Sequence, residues 1–194
     1  MINGRGVSYH PRMTSNALPA ITLAPIDVDD AELLHAWWNE PSVAYEWGNW
    51  PTPLSAMRER IERDIEDTNQ DNFLVLREDG TPVGAVFLGD QSMADGTARI
   101  RFLVDPEHRG RGYARAAVDA AVDFAFGELP LYRLDADPHT TNAPALAALA
   151  GAGFTHEGVK RSACIHRGRR LDLAVLSLLR PEWEAMERPR SWDR

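Results

Sequence analysis

The chain has 194 residues, a formal net charge of -8 at neutral pH, 44% hydrophobic and 26% charged residues, and one cysteine. One core of this length buries roughly 70% of the surface an unfolded chain exposes, so folding needs neither disulfide nor structural metal. Cys164 has no partner in the chain, which excludes a disulfide scaffold and a Cys-rich zinc module. The acidic balance argues against broad nucleic-acid binding, which needs a basic face. No apolar run approaches the roughly 18 residues of a membrane helix, and Met1 to Pro19 holds no apolar stretch behind its charges. A cytoplasmic protein with no membrane or nucleic-acid partner is expected.

Residues 1–20 mix Gly, Pro, Ser, Asn and Arg without a hydrophobic period and read as a mobile extension. A domain is expected over 21–187 and a tail over 188–194. Ile21 to Ile26 is a strand candidate. Asp29-Asp30 then open a helix carrying Leu33, Leu34, Trp37 and Trp38, with the two tryptophans as core. Asn39 to Pro51 reads as a Trp-rich loop. Thr52-Pro53 is a cap followed by a first-turn proline, and Leu54, Met57, Ile61 and Ile65 fall on one helix face. Arg58 with Glu62 and Glu59 with Arg63 are expected pairs on the other face.

Asn72 to Arg77 and Pro82 to Leu88 form a hairpin around Gly80, and Thr97 to Val104 adds a third antiparallel strand. After Val104 a Gly/Arg turn leads into a helix with Ala114, Ala117, Val118, Ala121, Val122 and Ala125 on one stripe. A strand from Leu131 to Asp137, a short helix capped at Thr141-Asn142, and a hairpin from Phe154 through Gly168 to Leu179 complete the chain. The order predicts an α+β fold on a single sheet.

Arg109-Gly110-Arg111-Gly112-Tyr113-Ala114 joins a strand to a helix, where the first N–H groups are unpaired and the helix dipole favours an anion. With Arg115, three arginines gather there in an acidic chain, which suits a pyrophosphate. A dinucleotide fingerprint fits less well: Arg115 stands at the third glycine position, and an antiparallel meander precedes the turn. No Gly-Lys-Ser/Thr is present for a Walker A loop.

Arg109-x-x-Gly112-x-Ala114, with Asp105-Pro106-Glu107-His108-Arg109-Gly110 at its start, resembles the pyrophosphate signature of the GNAT superfamily of acyl-coenzyme A dependent N-acyltransferases, in its ribosomal-protein-alanine acetyltransferase-like branch. Asn142-x-x-Ala145, Gly153-Phe154, Glu157-Gly158, Asp172 and Glu182-Trp183 continue the likeness. The resemblance implies a mixed, mostly antiparallel sheet, flanked by helices and splayed between the strands ending at Val104 and Asp137. Acetyl-coenzyme A, or another acyl-coenzyme A, would lie in the gap as cosubstrate. Phe102, Leu103 and Val104 would pair with its pantetheine arm, the N–H groups from Arg109 to Arg115 would hold the pyrophosphate, and Asn142 would contact pantetheine or simply cap its helix. Homodimers are common among similar proteins.

Acyl transfer to an amine needs a base for the ammonium, donors for the oxyanion and an acid for the thiolate. Relatives often carry a glutamate on the strand before the phosphate loop. Here Ala98-Arg99-Ile100-Arg101-Phe102 occupies that stretch, leaving Asp137, His139 and Glu46 as base candidates. His139 sits in a sequence that reads as an exposed loop. No tyrosine stands in Ala147-Ala148-Leu149-Ala150, where an acid is used in several members, so Cys164, water or no dedicated acid remain. Arg99 and Arg101 share a strand face and would suit an acceptor bearing a carboxylate or phosphate, or else pair with Asp or Glu on an exposed sheet. Trp47 and Trp50 are candidate acceptor walls. Cys164 with His166 is too sparse for a metal site, and no metal is expected. The activity expected is transfer of an acyl group to a primary amine of a small molecule. The alternatives are the N-terminal amine of a protein, a non-catalytic coenzyme A-binding module, or a structural domain.

Overall fold

The computed structural model describes residues 18–193. Most of the extension expected over 1–20 therefore lies outside the described residues. Seven strands form one sheet in the order β1-β2-β3-β4-β5-β7-β6. They are β1 (Ile21–Pro25), β2 (Asp71–Arg77), β3 (Pro82–Ser92), β4 (Thr97–Val104), β5 (Arg133–Ala136), β6 (Thr155–His166) and β7 (Arg169–Leu179). Every neighbouring pair is antiparallel except β4 with β5.

Strand alternation decides what each face buries. Phe73, Val86, Leu88, Ala98 and Ile100 face α4 (Tyr113–Gly127) and α5 (Ala143–Gly151). Leu74, Ala85 and Leu103 face the other way, onto α1 (Ala31–Trp38), α2 (Pro41–Trp47) and α3 (Leu54–Glu66). Trp37 and Trp38 are buried in this second layer, as their helical spacing predicts. Arg99 and Arg101, in step with Leu103, share the α1–α3 side.

Several local expectations are corrected. The segment 39–51 holds a helix, α2, started by Glu40, whose carboxylate accepts from Ser42 N at 2.7 Å and Val43 N at 3.1 Å. Pro41 fills its first turn and Gly48, at φ +66°, ends it. Thr52 does not cap α3; its backbone N–H and C=O bond to Asn39 instead. Arg58 reaches Glu32 at 3.1 Å instead of Glu62, and Arg63 Nε donates to the backbone carbonyl of Glu59 at 3.3 Å instead of to its carboxylate. Beyond residue 187, Arg188 and the Ser191 N–H bond to Asp123, which is fully buried on α4 with Trp183 Nε1 donating to it at 2.8 Å.

Burial raises the Asp123 carboxyl, but the hydrogen bonds from Arg188, Trp183 and Ser191 outweigh it and hold the group below its ordinary value. Its contribution to stability is therefore present above the unfolded pKa near 3.9 and is lost as the pH falls through the lower folded value. We expect Asp123→Asn to cost about 2 kcal/mol at pH 7, measured by urea unfolding, and the deficit to shrink in acid. An unchanged unfolding midpoint would remove Asp123 as the anchor of this end of the chain.

Candidate active site

β4 and β5 pair only from Thr97 to Arg99 with Arg133 to Asp135. Beyond Arg99 the two parallel strands part, and a cavity of about 760 Å³ opens between them. Ile100 to Val104 form one wall and Ala136 to His139 the other. At its base is the loop from Arg109 to Gly112, where Gly110 at φ +74° and Gly112 at φ +85° take the left-handed conformation that glycine adopts without strain. None of the N–H groups from Gly110 to Arg115 donates to another described residue. Six backbone donors at the start of a 15-residue helix are an anion cradle. Pro19 lies over this loop: a Cβ on Gly112 would stand 3.1 Å from Pro19 Cδ.

The arginines divide their work. Arg109 donates to Ser42 Oγ at 2.9 Å and to Val104 O at 3.3 Å, and stands 3.6 Å from Glu46, so it ties the phosphate loop to α2. Arg115 Nε donates to Asp119 at 2.9 Å. Arg111 is exposed and forms no ion pair with a described residue. Tyr113 and Ala114 continue the cradle and line the cavity.

Asn142 also borders the cavity, and its Oδ1 accepts from Ala145 N at 3.1 Å, the cap of α5. Its amide nitrogen is not used by the cap. Asn142→Ala is expected to cost about 1 kcal/mol of stability, whereas Asn142→Asp keeps the cap. Acetyl-coenzyme A affinity measured on both variants separates the roles: a fall in both marks a contact through the amide, and a fall in Ala alone marks the cap.

The base candidates are not equivalent. Asp137 lines the cavity, but its Oδ2 is 3.3 Å from Arg99 and 3.4 Å from Lys160, so the carboxylate is occupied by two cations. His139 is buried at 6% exposure, against the expectation of an exposed loop, because Leu173 of β7 bridges to it and Cys164 Sγ lies 3.6 Å from its Nε2. Burial, with His166 adding to it, holds the imidazole below its ordinary pKa and therefore neutral at pH 7. Glu46, on α2, is half-buried in the cavity wall. Burial raises its carboxyl above the ordinary carboxylate range, Arg109 works against that, and Glu40 adds to it.

On the acceptor side, Trp47 lines the cavity while packing on Trp38 at 4.9 Å and Phe87 at 5.4 Å between ring centroids. Trp50 does not: it lies 81% exposed beyond Gly48, which turns the chain outward at the end of α2. Arg99 pairs with Asp90 at 3.4 Å and with Asp137, the second of the two alternatives for these arginines, while Arg101 is exposed, unpaired with a described residue, and lines the cavity. Tyr45 of α2 stacks edge-on against His166 at 4.6 Å and His139 at 6.2 Å between ring centroids. Among the described residues no group of three His, Cys, Asp or Glu could hold a metal.

The parallel strands part over a glycine-lined loop whose N–H groups, from Gly110 on, have no partner among the described residues, and a single cavity runs from that loop past Glu46. The chain matches the model of the acetyltransferase (GNAT) domain over residues 20–155 and belongs to that family. It is an N-acetyltransferase with acetyl-coenzyme A as cosubstrate. It is 28% identical over 168 residues to the uncharacterized N-acetyltransferase p20 of Bacillus licheniformis, covering 84% of this chain and 94% of that protein. The spermidine N(1)-acetyltransferase of Vibrio cholerae is 23% identical over 164 residues, covering 84% and 95%. The crystal structure of spermidine N-acetyltransferase from Vibrio cholerae in complex with CoA and spermine superposes with a TM-score of 0.81 at 23% identity, covering 85% and 98%. A match of 31% over 106 residues, 55% of this chain and 58% of the relative, joins it to the putative ribosomal N-acetyltransferase YdaF of Bacillus subtilis.

Proposed function

We propose that the enzyme acetylates a primary amine of a small molecule by direct attack on the thioester, with Glu46 as general base. The observation that carries this reading is the raised, half-buried carboxyl of Glu46 in the wall of the same cavity that begins at the phosphate cradle. Ile100 to Val104 offer a strand edge to the pantetheine arm, with Phe102, Leu103 and Val104 as its partners, and the N–H groups from Arg109 to Arg115 offer donors to the pyrophosphate. Glu46 takes the proton of the ammonium, directly or through water. The neutral amine forms the C–N bond, the C–S bond breaks, and the leaving thiolate takes a proton from solvent or from the amine nitrogen.

Trp47 forms part of the acceptor wall. His139 is the second base candidate, favoured by its neutral imidazole beside Cys164, while Asp137 positions Arg99 and Lys160. The small-molecule acceptor is supported by relatives named for spermidine acetylation; the N-terminal amine of a protein is the second reading, supported by the match to YdaF. The dodecameric spermidine N-acetyltransferase of Vibrio cholerae, at a TM-score of 0.74, supports self-association, with a dimer as the smallest unit. A cytoplasmic location fits a chain with a single free cysteine. No helix of the described residues is long and apolar enough to cross a membrane. The test is thiol release from acetyl-coenzyme A with a panel of small primary amines beside short peptides. Turnover with small amines is the expected result, and turnover confined to peptide N-termini would overturn the small-molecule reading.

A further inference from the structure

One hairpin bordering the cavity carries charge opposite to that of the chain as a whole. Between Lys160 and Arg170 the β6–β7 hairpin carries Lys160, Arg161, Arg167, Arg169 and Arg170, with no acidic residue, in a chain of net charge -8. All five are exposed. Cys164 and Ile165 from the same hairpin line the cavity, and Arg167 lies 5.6 Å over the ring of Tyr45 on α2, the helix that carries Glu46. Inside the mouth, Arg101 forms no ion pair with any described residue, although Arg99 two positions away is paired twice.

Several of the neighbouring carboxylates already face cations. Asp137 is held by Arg99 and Lys160, Glu46 faces Arg109, and Glu157 is gripped by Arg133 at 2.6 Å. Asp172 accepts from the Ser162 N–H at 2.7 Å. A second ammonium on an acceptor would thus meet the unpaired Arg101, with Asp137 beside it already held by two cations. A carboxylate or phosphate there would meet Arg101, an exposed and unpaired guanidinium on the cavity wall that can take it in a charge-assisted hydrogen bond and repels a like charge.

We propose that the acceptor carries an anionic group at the end remote from its amine, bound by Arg101 and drawn in by the basic tip of the β6–β7 hairpin, and that polyamines are poor acceptors. The proposal rests on the acetyl-transfer reading above and narrows it: steering by the rim raises the local concentration of anions and lowers that of polycations.

Three five-carbon amines differing only at the far end test it: 5-aminopentanoate, pentylamine and 1,5-diaminopentane, with 3-aminopropyl phosphate to tell phosphate from carboxylate. Thiol release gives kcat/KM for each with the wild-type enzyme, Arg101→Glu and Arg167→Glu. We expect aminopentanoate to exceed diaminopentane by about tenfold or more, the preference to shrink at high salt, and Arg101→Glu to reverse it. A faster diamine, or a preference unchanged in Arg101→Glu, overturns the proposal. Calorimetry of pentanoate and pentylamine on the coenzyme A-loaded protein separates this from the acetyl-transfer reading. Anion binding that Arg101→Glu abolishes, with no amine turned over, sinks acetyl transfer to small amines and upholds the anion site. Absence of anion binding sinks the anion site, whatever amine is acetylated.

Discussion

Glu46→Gln is expected to lower kcat for acetyl transfer by about 10²–10³-fold, within the usual range for loss of a general base, and to leave acetyl-coenzyme A binding nearly unchanged. The substitution keeps the shape of a side chain packed on α2 and removes only the proton acceptor. The wild-type rate should rise with pH through the Glu46 pKa, because the base works only when ionised. Since burial raises that pKa, this acid limb lies above the value near 4.3 of an ordinary glutamate. Glu46→Gln should flatten it. Stability changes little, since the contact with Arg109 at 3.6 Å is partly exposed and screened. A variant with full kcat and an unaltered acid limb would move the base to His139, whose replacement by Asn would then produce the loss.

Gly112→Glu is expected to abolish measurable acetyl-coenzyme A binding, a fall of at least about 10²-fold. Three causes act together. At φ +85° any side chain is strained, by about 1–2 kcal/mol, a Cβ would press on Pro19 Cδ at 3.1 Å, and a carboxylate would stand among the donors reserved for pyrophosphate. Gly112→Ala carries the strain without the charge and should lose less affinity. Gly110→Ala, at φ +74°, carries the same kind of backbone strain without the contact, since a Cβ there meets nothing within 4 Å, and should lose least. Titration calorimetry on all three, with the unfolding midpoint as a control for folding, decides the matter. A folded Gly112→Glu protein that binds as wild type would place the cofactor elsewhere.

The meander, the phosphate loop and α5 were legible because each has a local cause: period-two alternation around Gly80, glycines between a strand and a helix, and an asparagine cap ahead of Pro144. The splay followed from the family resemblance rather than from the residues themselves. What stayed hidden depends on contacts between distant segments. α2 is seven residues long, too short for a helical period, and its only local marks are Glu40-Pro41 before it and Gly48 after it. His139 lies in a Pro-His-Thr-Thr stretch and is buried only because Leu173 and Cys164, from strands later in the chain, close over it. The neutralisation of Arg99 needs Asp90, held at φ +52° where β3 leaves register with β4, and Asp137, 38 residues beyond Arg99. Glu46 was a candidate by residue type, and its raised carboxyl follows from the burial that α2 creates.

The account centres on acetyl-coenzyme A lying in the splay between β4 and β5, with its pyrophosphate on the start of α4. Amide hydrogen exchange with and without coenzyme A measures this segment by segment. Protection gained by the amides of Ile100 to Val104 and of Gly110 to Arg115, with β1 and β2 unaffected, is the predicted result. Binding that protects neither segment, or protects one remote from the splay, would contradict it.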